Sequence, residues 1–582
     1  MPVGNKMDNK SFCKHKFNTM LLSATLAMVG IFVTLICDAV IAGLFFGADG
    51  VSAVNLVIPT MSFALFTSEV FGNGAGILYS RYIGKLDKEG ADRMYGMGVI
   101  VNIAAAVLCA LLIFFGEDIY FHIQGTCGKA CELARDYYGF MPLKSALTII
   151  FSYFAFMVYT DGDEKYANAA YIVQIVSNIF FSVILCKKMG MAGITLGGVI
   201  GNLLGSAALV GHFFSKENTL HFVPYFNLKE QLCVIKFSAV DACSYLCWSV
   251  MNYVLIAYIS RHYGEDALVT LAVVMSIVEF SVVLDGIGLA MQPLIGTYLG
   301  EKNNAMIKRF TKYVFKVTVI EGLAVALVFF VFAPQITALF GIDGACAADT
   351  VKAARTAAVS LVFCSLVTLE TSYYMLIDLV NTSVMITVLK EGVLYTLCPI
   401  VFSKIFGQLG LWTGFFAAAP LTLVFSLVFI LLRYGKANFP LIIENKDKYI
   451  TVLESTLTKD TAALFSAAVE KALKERGFSE KSVLWGAVFT EEILLTVFEK
   501  NKGKKEKLLA EISLIFAKDQ FLLIERDSGV IFDPTDPDAK IDGLSGFVLA
   551  GMMEAHKEKA YQTTTGYNRN IMRLALEIYA KN

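Results

Sequence analysis

Asp38 stands in the stretch VGIFVTLICDAVIAGLFFG, inside a long run of uncharged neighbours. A carboxylate at bilayer depth costs roughly 2.5–3.5 kcal/mol on insertion scales, so it must face a cavity or a partner. Such a group can take up and release a cation, as an ion-coupled carrier requires, or it can be a structural acid hydrogen-bonded to the next helix. The residue alone leaves both readings open. A second polar stretch, RDSGVIFDPTD at residues 526–536, has the composition of a nucleotide pocket, although DSG by itself is an ordinary turn signal.

The elements that must position these residues are mostly apolar helices. The 582 residues are 56% hydrophobic and 17% charged with a mean hydropathy of +0.62, too apolar for a soluble protein of this length. A net charge of −1 and a pI near 6.6 give no basic excess for nucleic acid. The twelve cysteines are scattered through apolar runs, without the spacing of a disulfide framework or zinc site. Cys127 and Cys131 lie four apart near a loop expected to face outward, which suits a ligand pair or disulfide, against the plainer reading of two loop or helix-end residues.

A membrane-spanning helix needs about 20 apolar residues. Runs of that kind begin near residues 17, 51, 94, 138, 167, 191, 232, 266, 312, 353, 379 and 407, which predicts about twelve helices. The first run is too long for a cleaved signal and is expected to stay as helix one. Lys6, Lys10, Lys14 and Lys16 precede it, Arg81, Lys85, Lys88 and Arg93 follow helix two, and Lys302, Lys308, Arg309 and Lys312 follow helix eight. These basic flanks predict cytoplasmic loops and, with an even helix count, two cytoplasmic termini; Lys187 and Lys188 depart from the pattern.

The chain also repeats itself. Gly72, Tyr82, Gly84 and Arg93 match Gly288, Tyr298, Gly300 and Arg309 at an offset of 216, and Gly47, Gly190, Gly193 and Gly197 match Gly264, Gly407, Gly410 and Gly414 at 217. Two six-helix lobes in parallel orientation, at 17–215 and 232–433, account for this, with a loop at 216–231 and a cavity between the lobes. Residues 1–16 precede them, and 434–447 form a linker. Residues 448–582 change to a soluble composition, with predicted helices Ala462–Arg476 and Lys481–Lys500, strands near 512–516, 520–526 and 570–576, and a helix after Gly546. The predicted fold class is therefore a polytopic all-α membrane protein with a C-terminal α+β sandwich on the cytoplasmic side.

CDAVIAGLFFGADGVSAVNLVIP followed by GNGAGILYSRYIGKLDKEGADR resembles the opening of the multidrug and toxic compound extrusion (MATE) transporters. GIGLAMQPLIGTYLGEKN in the second half and FGQLGLWTGFFAAAP near the end of the last helix extend the resemblance over most of residues 17–433. It implies a secondary transporter, not an enzyme: a proton- or sodium-coupled antiporter of the cell membrane that exports organic, often cationic, molecules and requires no cofactor. By that resemblance Asp38 is the ion-coupling carboxylate and Asn178 its companion. Ser182 stands where the family often has an acid, and Ser249 where a sodium-coupled branch has a glutamate. Asp241, Glu279, Asp285, Glu370, Asp378 and Glu391 are further acids in or near helices; Glu279, deepest by count, is expected to face the cavity, with Asp241 and Ser182 as further lining candidates.

In the tail, TEEILLTVFEK, DSGVIFDP, DGLSGFVLAGM and TGYNRNIMRL follow the order found in anti-sigma-factor kinases and histidine-kinase ATPase domains, which they resemble. That resemblance implies a nucleotide site with Glu492 as base, Asp527 and Gly529 toward adenine, and Gly543 and Gly546 at a phosphate-binding helix start. Thr496 replaces the family's magnesium-binding asparagine, which disfavours phosphoryl transfer and favours nucleotide sensing, or contact with a cytoplasmic regulatory protein. Two alternatives share parts of this pattern. A lipid-linked precursor flippase is expected to have a basic cavity, for which Lys390 is the main deep candidate, and a membrane sensor kinase would need a phospho-acceptor histidine segment that is not evident before the tail.

Overall fold

The computed structural model describes residues 11–530 apart from 86, 125–127, 216–217, 264, 340–344, 437–438, 444–448, 504–506 and 517–519, and beyond 530 only 548–549, 551, 560–564 and 568–575. The first lobe comprises α1 (Phe12–Lys85), α2 (Lys88–Gln124), α3 (Lys129–Tyr138), α4 (Met141–Thr160), α5 (Glu164–Met189) and α6 (Met191–Phe213). The second comprises α7 (Leu228–His262), α8 (Glu265–Glu279), α9 (Gly286–Gly300), α10 (Asn304–Leu339), α11 (Ala345–Leu376), α12 (Val380–Thr387) and α13 (Tyr395–Tyr434). Among the described residues, ten helices are long and apolar enough to cross a membrane.

Glycine divides the longest runs. α1 holds two spans that meet at Gly47 (φ 65°, ψ −149°), and α13 turns at Gly407 (φ 63°, ψ −146°). Gly190, between α5 and α6, has φ 65° and ψ −143°. A side chain at such a φ would be strained, so glycine is the residue that permits each break. Gly190 and Gly407 are also partners in the sequence repeat, and they share one backbone conformation. Gly264, the repeat partner of Gly47, lies outside the described residues.

Three elements differ from the sequence reading. The eighth helix, expected to be continuous, gives way after Glu279 to a tighter turn of helix at Phe280–Asp285 before α9. Residues Val388–Leu394 widen into a π-helix between α12 and α13. The short amphipathic α3, with Ala134, Tyr137 and Tyr138 buried, was absent from the expected list because ten residues are too few to register as a span.

Packing shows how the lobes meet. At the end nearest the tail they share one hydrophobic core, with Phe17, Tyr79, Tyr95 and Tyr153 of the first lobe continuous with Ile295, Tyr298, Phe310 and Leu376 of the second. At the far end each lobe has its own core, one around Ile41, Val57, Tyr137 and Ile194, the other around Leu255, Val274, Leu361 and Phe415. The lobes are joined at the tail end and separate at the other.

The tail forms an antiparallel sheet, ordered β1-β2-β3-β5-β4, from β1 (Ile450–Thr456), β2 (Leu509–Phe516), β3 (Gln520–Asp527), β4 (Ala560–Thr564) and β5 (Asn568–Ala575). Helices α14 (Lys459–Lys474) and α15 (Glu480–Lys500) cover it around Phe465, Phe489, Ile512 and Phe521. Thr458 and Ser479 cap the two helix starts with their hydroxyls. Strand β1 was not expected from the sequence, because its isoleucine, valine and leucine are separated by polar residues in ITVLEST.

Candidate functional site

Asp38 is fully buried within the first lobe, and its partners come from two other helices. Tyr137 Oη of α3 and Lys144 Nζ of α4 both donate to Asp38 Oδ2 at 2.6 Å, and Lys144 Nζ lies 3.5 Å from Tyr137 Oη. Lys144 is itself 6% exposed, so this is a buried ion pair rather than a surface contact. Asp38 Oδ1 has no hydrogen-bond partner among the described residues. Thr195 Oγ1 of α6 donates to the Tyr137 carbonyl at 2.5 Å and so fixes α3 against the lobe.

The sequence of α6 explains how the helices come this close. Gly193, Gly197, Gly201 and Gly205 recur every fourth residue, and a Cβ at each would meet α5: at Gly197 it would stand 2.4 Å from the Ser182 backbone nitrogen, and at Gly201 2.9 Å from Asn178 Cβ. Small residues at this spacing let two membrane helices touch backbone to backbone. Gly198, one position round, makes room for the Lys144 stem, since a Cβ there would lie 2.7 Å from Cε.

The expected residues are only partly brought together. Asn178 and Ser182 are buried and bonded to each other, Ser182 Oγ donating to Asn178 Oδ1 at 3.1 Å and sharing the Ile194 carbonyl at 3.0 Å. Asn178 Nδ2 has no partner among the described residues. Asp241 lies away from this group, on α7, where it accepts from Asn73 Nδ2 of α1. The Asn73–Asp241 bond crosses from one lobe to the other, and Glu69, Asp241, Glu279 and Asp285 all lie within electrostatic reach of Tyr245 on α7; Glu279 and Asp285 are exposed, Glu69 and Asp241 half-buried. Lys390 and Glu391, both buried, pair at 2.7 Å in the π-helix. Among the described residues no group of histidine, cysteine and acidic side chains could hold a metal ion. Cys127 lies outside the described residues.

Lys144 was the residue the sequence hid. Lys390 had been expected to be the main deep lysine, yet Lys144 is equally buried and is the one in contact with Asp38. As the fourth residue of MPLKSALT it reads as an interfacial lysine at the mouth of a span.

In the tail, Glu492 is half-buried on α15, and Thr496 Oγ1 donates to the Glu492 carbonyl at 2.7 Å. Asp527 Oδ1 accepts the Gly529 N–H at 2.5 Å, an internal loop contact, and Asn501 Oδ1 accepts the Val530 N–H at 2.9 Å. Gly543 and Gly546 lie outside the described residues. The Thr496 hydroxyl is thus bonded within its own helix and Asp527 Oδ1 within its own loop.

The tail's side chains reach the joined end of the lobes instead. Arg526 of β3 donates to Glu511 at 2.5 Å and to both oxygens of Glu301, which follows α9. Arg569 of β5 pairs with Glu301 Oε1 at 2.5 Å and donates to the carbonyls of Ile83 at 2.9 Å and Gly84 at 3.2 Å, at the end of α1. Tyr298 Oη donates to Glu511 at 2.8 Å, and Asn303 to Ser513 at 3.2 Å. All four charges are buried. The clamp thus touches both lobes, and it was invisible in the sequence because its tail members lie hundreds of residues from their partners in the lobes.

Two lobes of apolar helices joined at one end, with a buried carboxylate inside the first, define the architecture of a membrane transporter. The MatE family model matches residues 24–184 and 242–400, more than half of the chain, so the chain belongs to the MATE family of secondary transporters. It is 21% identical over 301 residues to the multidrug export protein MepA of Staphylococcus saprophyticus, covering 51% of this chain and 66% of that protein. With MepA of Staphylococcus aureus MSSA476 it shares 20% over 250 residues, covering 42% and 55%. The chain thus spans just over half to about two thirds of the length of the curated relatives it matches. The solved outward-facing conformation of a multidrug resistance MATE family transporter superposes with a TM-score of 0.67 at 20% identity, covering 72% of this chain and 96% of that one.

Proposed function

We propose that this chain is a cation-coupled antiporter of the cell membrane that exports organic cations by alternating access, driven by protons or sodium. The observation that carries the reading is the placement of acid: Asp38 is buried within the first lobe, and four less buried carboxylates, Glu69, Asp241, Glu279 and Asp285, lie within electrostatic reach of Tyr245, near the Asn73–Asp241 bond between the lobes. Opposite charge at short range in a low dielectric attracts a cationic solute, and the curated relatives are described as multidrug export proteins. Asp38 is the coupling carboxylate in this reading, with Asn178 and Ser182 completing its surroundings. Export of a fluorescent cation from vesicles under an imposed proton or sodium gradient tests it. D38N is expected to abolish gradient-driven export while the protein remains folded and inserted; undiminished export removes Asp38 from the role.

The tail regulates transport in this reading, from the cytoplasmic side where both termini lie. Support comes from its clamp: Arg569 grips α1 carbonyls and Glu301 at once, so the tail docks across the seam that an inward opening must part. Removing one member of a buried ion network costs about 3–5 kcal/mol. R569A is therefore expected to undock the tail and change the export rate while leaving the lobes folded. An unchanged rate with the tail demonstrably undocked would exclude regulation by docking.

A further inference from the structure

We propose that Lys144 sets which ion the first lobe accepts: its ammonium is a tethered cation in the place where sodium would coordinate Asp38, so the site exchanges protons only. The inference rests on Asp38 being the coupling carboxylate. The titratable or charged groups facing Asp38 are Cys37 on α1, Tyr137 on α3 and Lys144 on α4, with the amide and hydroxyl of Asn178 and Ser182 on α5 nearby in the same lobe. Lys144 is the cation among them, held at 2.6 Å and accommodated by the missing side chain of Gly198.

The arrangement discriminates between ions by what it offers them. A metal cation needs several oxygen lone pairs around it. At Asp38 Oδ2 the two neighbouring groups are an ammonium and a phenol, both of which point hydrogens at the carboxylate. A sodium ion would also sit beside a like charge away from bulk water. A proton needs one lone pair, and Asp38 Oδ1 has no hydrogen-bond partner among the described residues. Protonation forms one O–H bond on the carboxylate, leaves Lys144 as an ammonium released from its ion pair, and transfers no electrons. Deprotonation toward the other side of the membrane reverses the step.

Binding of radioactive sodium to the purified full-length chain tests this without a transported substrate. Wild type and K144R are expected to show no saturable sodium binding that D38N removes, whereas K144Q gains such binding by tenfold or more and loses it again when combined with D38N. Asp38-dependent sodium binding in wild type overturns the proposal, as does a K144Q protein with an intact melting transition and no gain. Should K144Q fail to fold, wild type and D38N still decide: proton uptake on acidification that D38N lacks, without Asp38-dependent sodium binding, supports it. Gradient-driven export retained by D38N would instead remove the coupling role itself, an outcome separate from either sodium result.

Discussion

The two lobes share a scaffold and differ in what they bury. At an offset of 217 the first-lobe residues Asp38, Asn178 and Ser182 correspond to Leu255, Tyr395 and Pro399, and Tyr137 and Lys144 to Ala354 and Leu361. Leu255, Ala354, Leu361 and Tyr395 are all buried in the second lobe's far-end core. Where one lobe holds a carboxylate, an ammonium and a phenol, the other holds aliphatic and aromatic packing. The second lobe's buried ion pair, Lys390 with Glu391, occupies a different position, in the π-helix that the first lobe lacks among its described residues. Repetition of glycines preserves helix geometry; it does not preserve chemistry.

The comparison can be broken at its centre first. D38N is expected to reduce gradient-driven vesicle export by a hundredfold or more, while L255A in the other lobe leaves the remaining activity equally dependent on the gradient. Next comes Lys144: K144M leaves the buried Asp38 charge uncompensated, a loss of about 3–5 kcal/mol, expected to appear as a lowered melting temperature that K144M/D38N largely restores. L361A, at the matching position, is a cavity mutation of about 2–5 kcal/mol, which no second charge removal rescues.

Glycine substitutions sharpen the shared half of the comparison. A Cβ at Gly197 would lie 2.4 Å from the Ser182 nitrogen, and one at its repeat partner Gly414 2.5 Å from the Pro399 nitrogen. Both contacts are with backbone, which cannot swing away, so G197A and G414A are each expected to cost about 1–3 kcal/mol. A difference beyond that range between the two would show that the lobes are not equivalent scaffolds. The smallest effect concerns tail docking. Burial, followed by the nearby Glu511, pushes the Glu454 carboxyl up from its ordinary 4.5 to about 7. The docked tail therefore holds a proton that the undocked tail releases, so docking is strongest below about pH 4.5 and weakens as pH rises through 7. Thiol labelling of Cys13, buried beneath the docked tail, is expected to accelerate over that range by more than thiolate formation alone provides, and to lose that excess in E454Q.

The legible part of the fold was what depends on local pattern. Apolar runs announced the spanning helices, and matching glycines announced the duplication, because helix length and close backbone approach leave their mark on adjacent residues. Strands β2, β3 and β5 and both tail helices fell within a few residues of expectation. Asp38 stood out as an acid among apolar neighbours. Lys144 did not, since a lysine three residues into a span is ordinary until folding turns it inward. Tyr137 was hidden in a helix too short to notice, and Arg526, Arg569 and Glu301 come together only through tertiary structure.

Arg569 takes hold of the first lobe through the carbonyls of residues 83 and 84. Every amino acid presents that oxygen, so drift in the identity of residue 83 leaves the handle in place, whereas a Cβ at Gly84 would stand 2.4 Å from the Thr297 carbonyl oxygen. What the arginine reads is the path of the chain, and a shift of that turn by an ångström or two would be felt by the sheet even if no letter of the sequence changed.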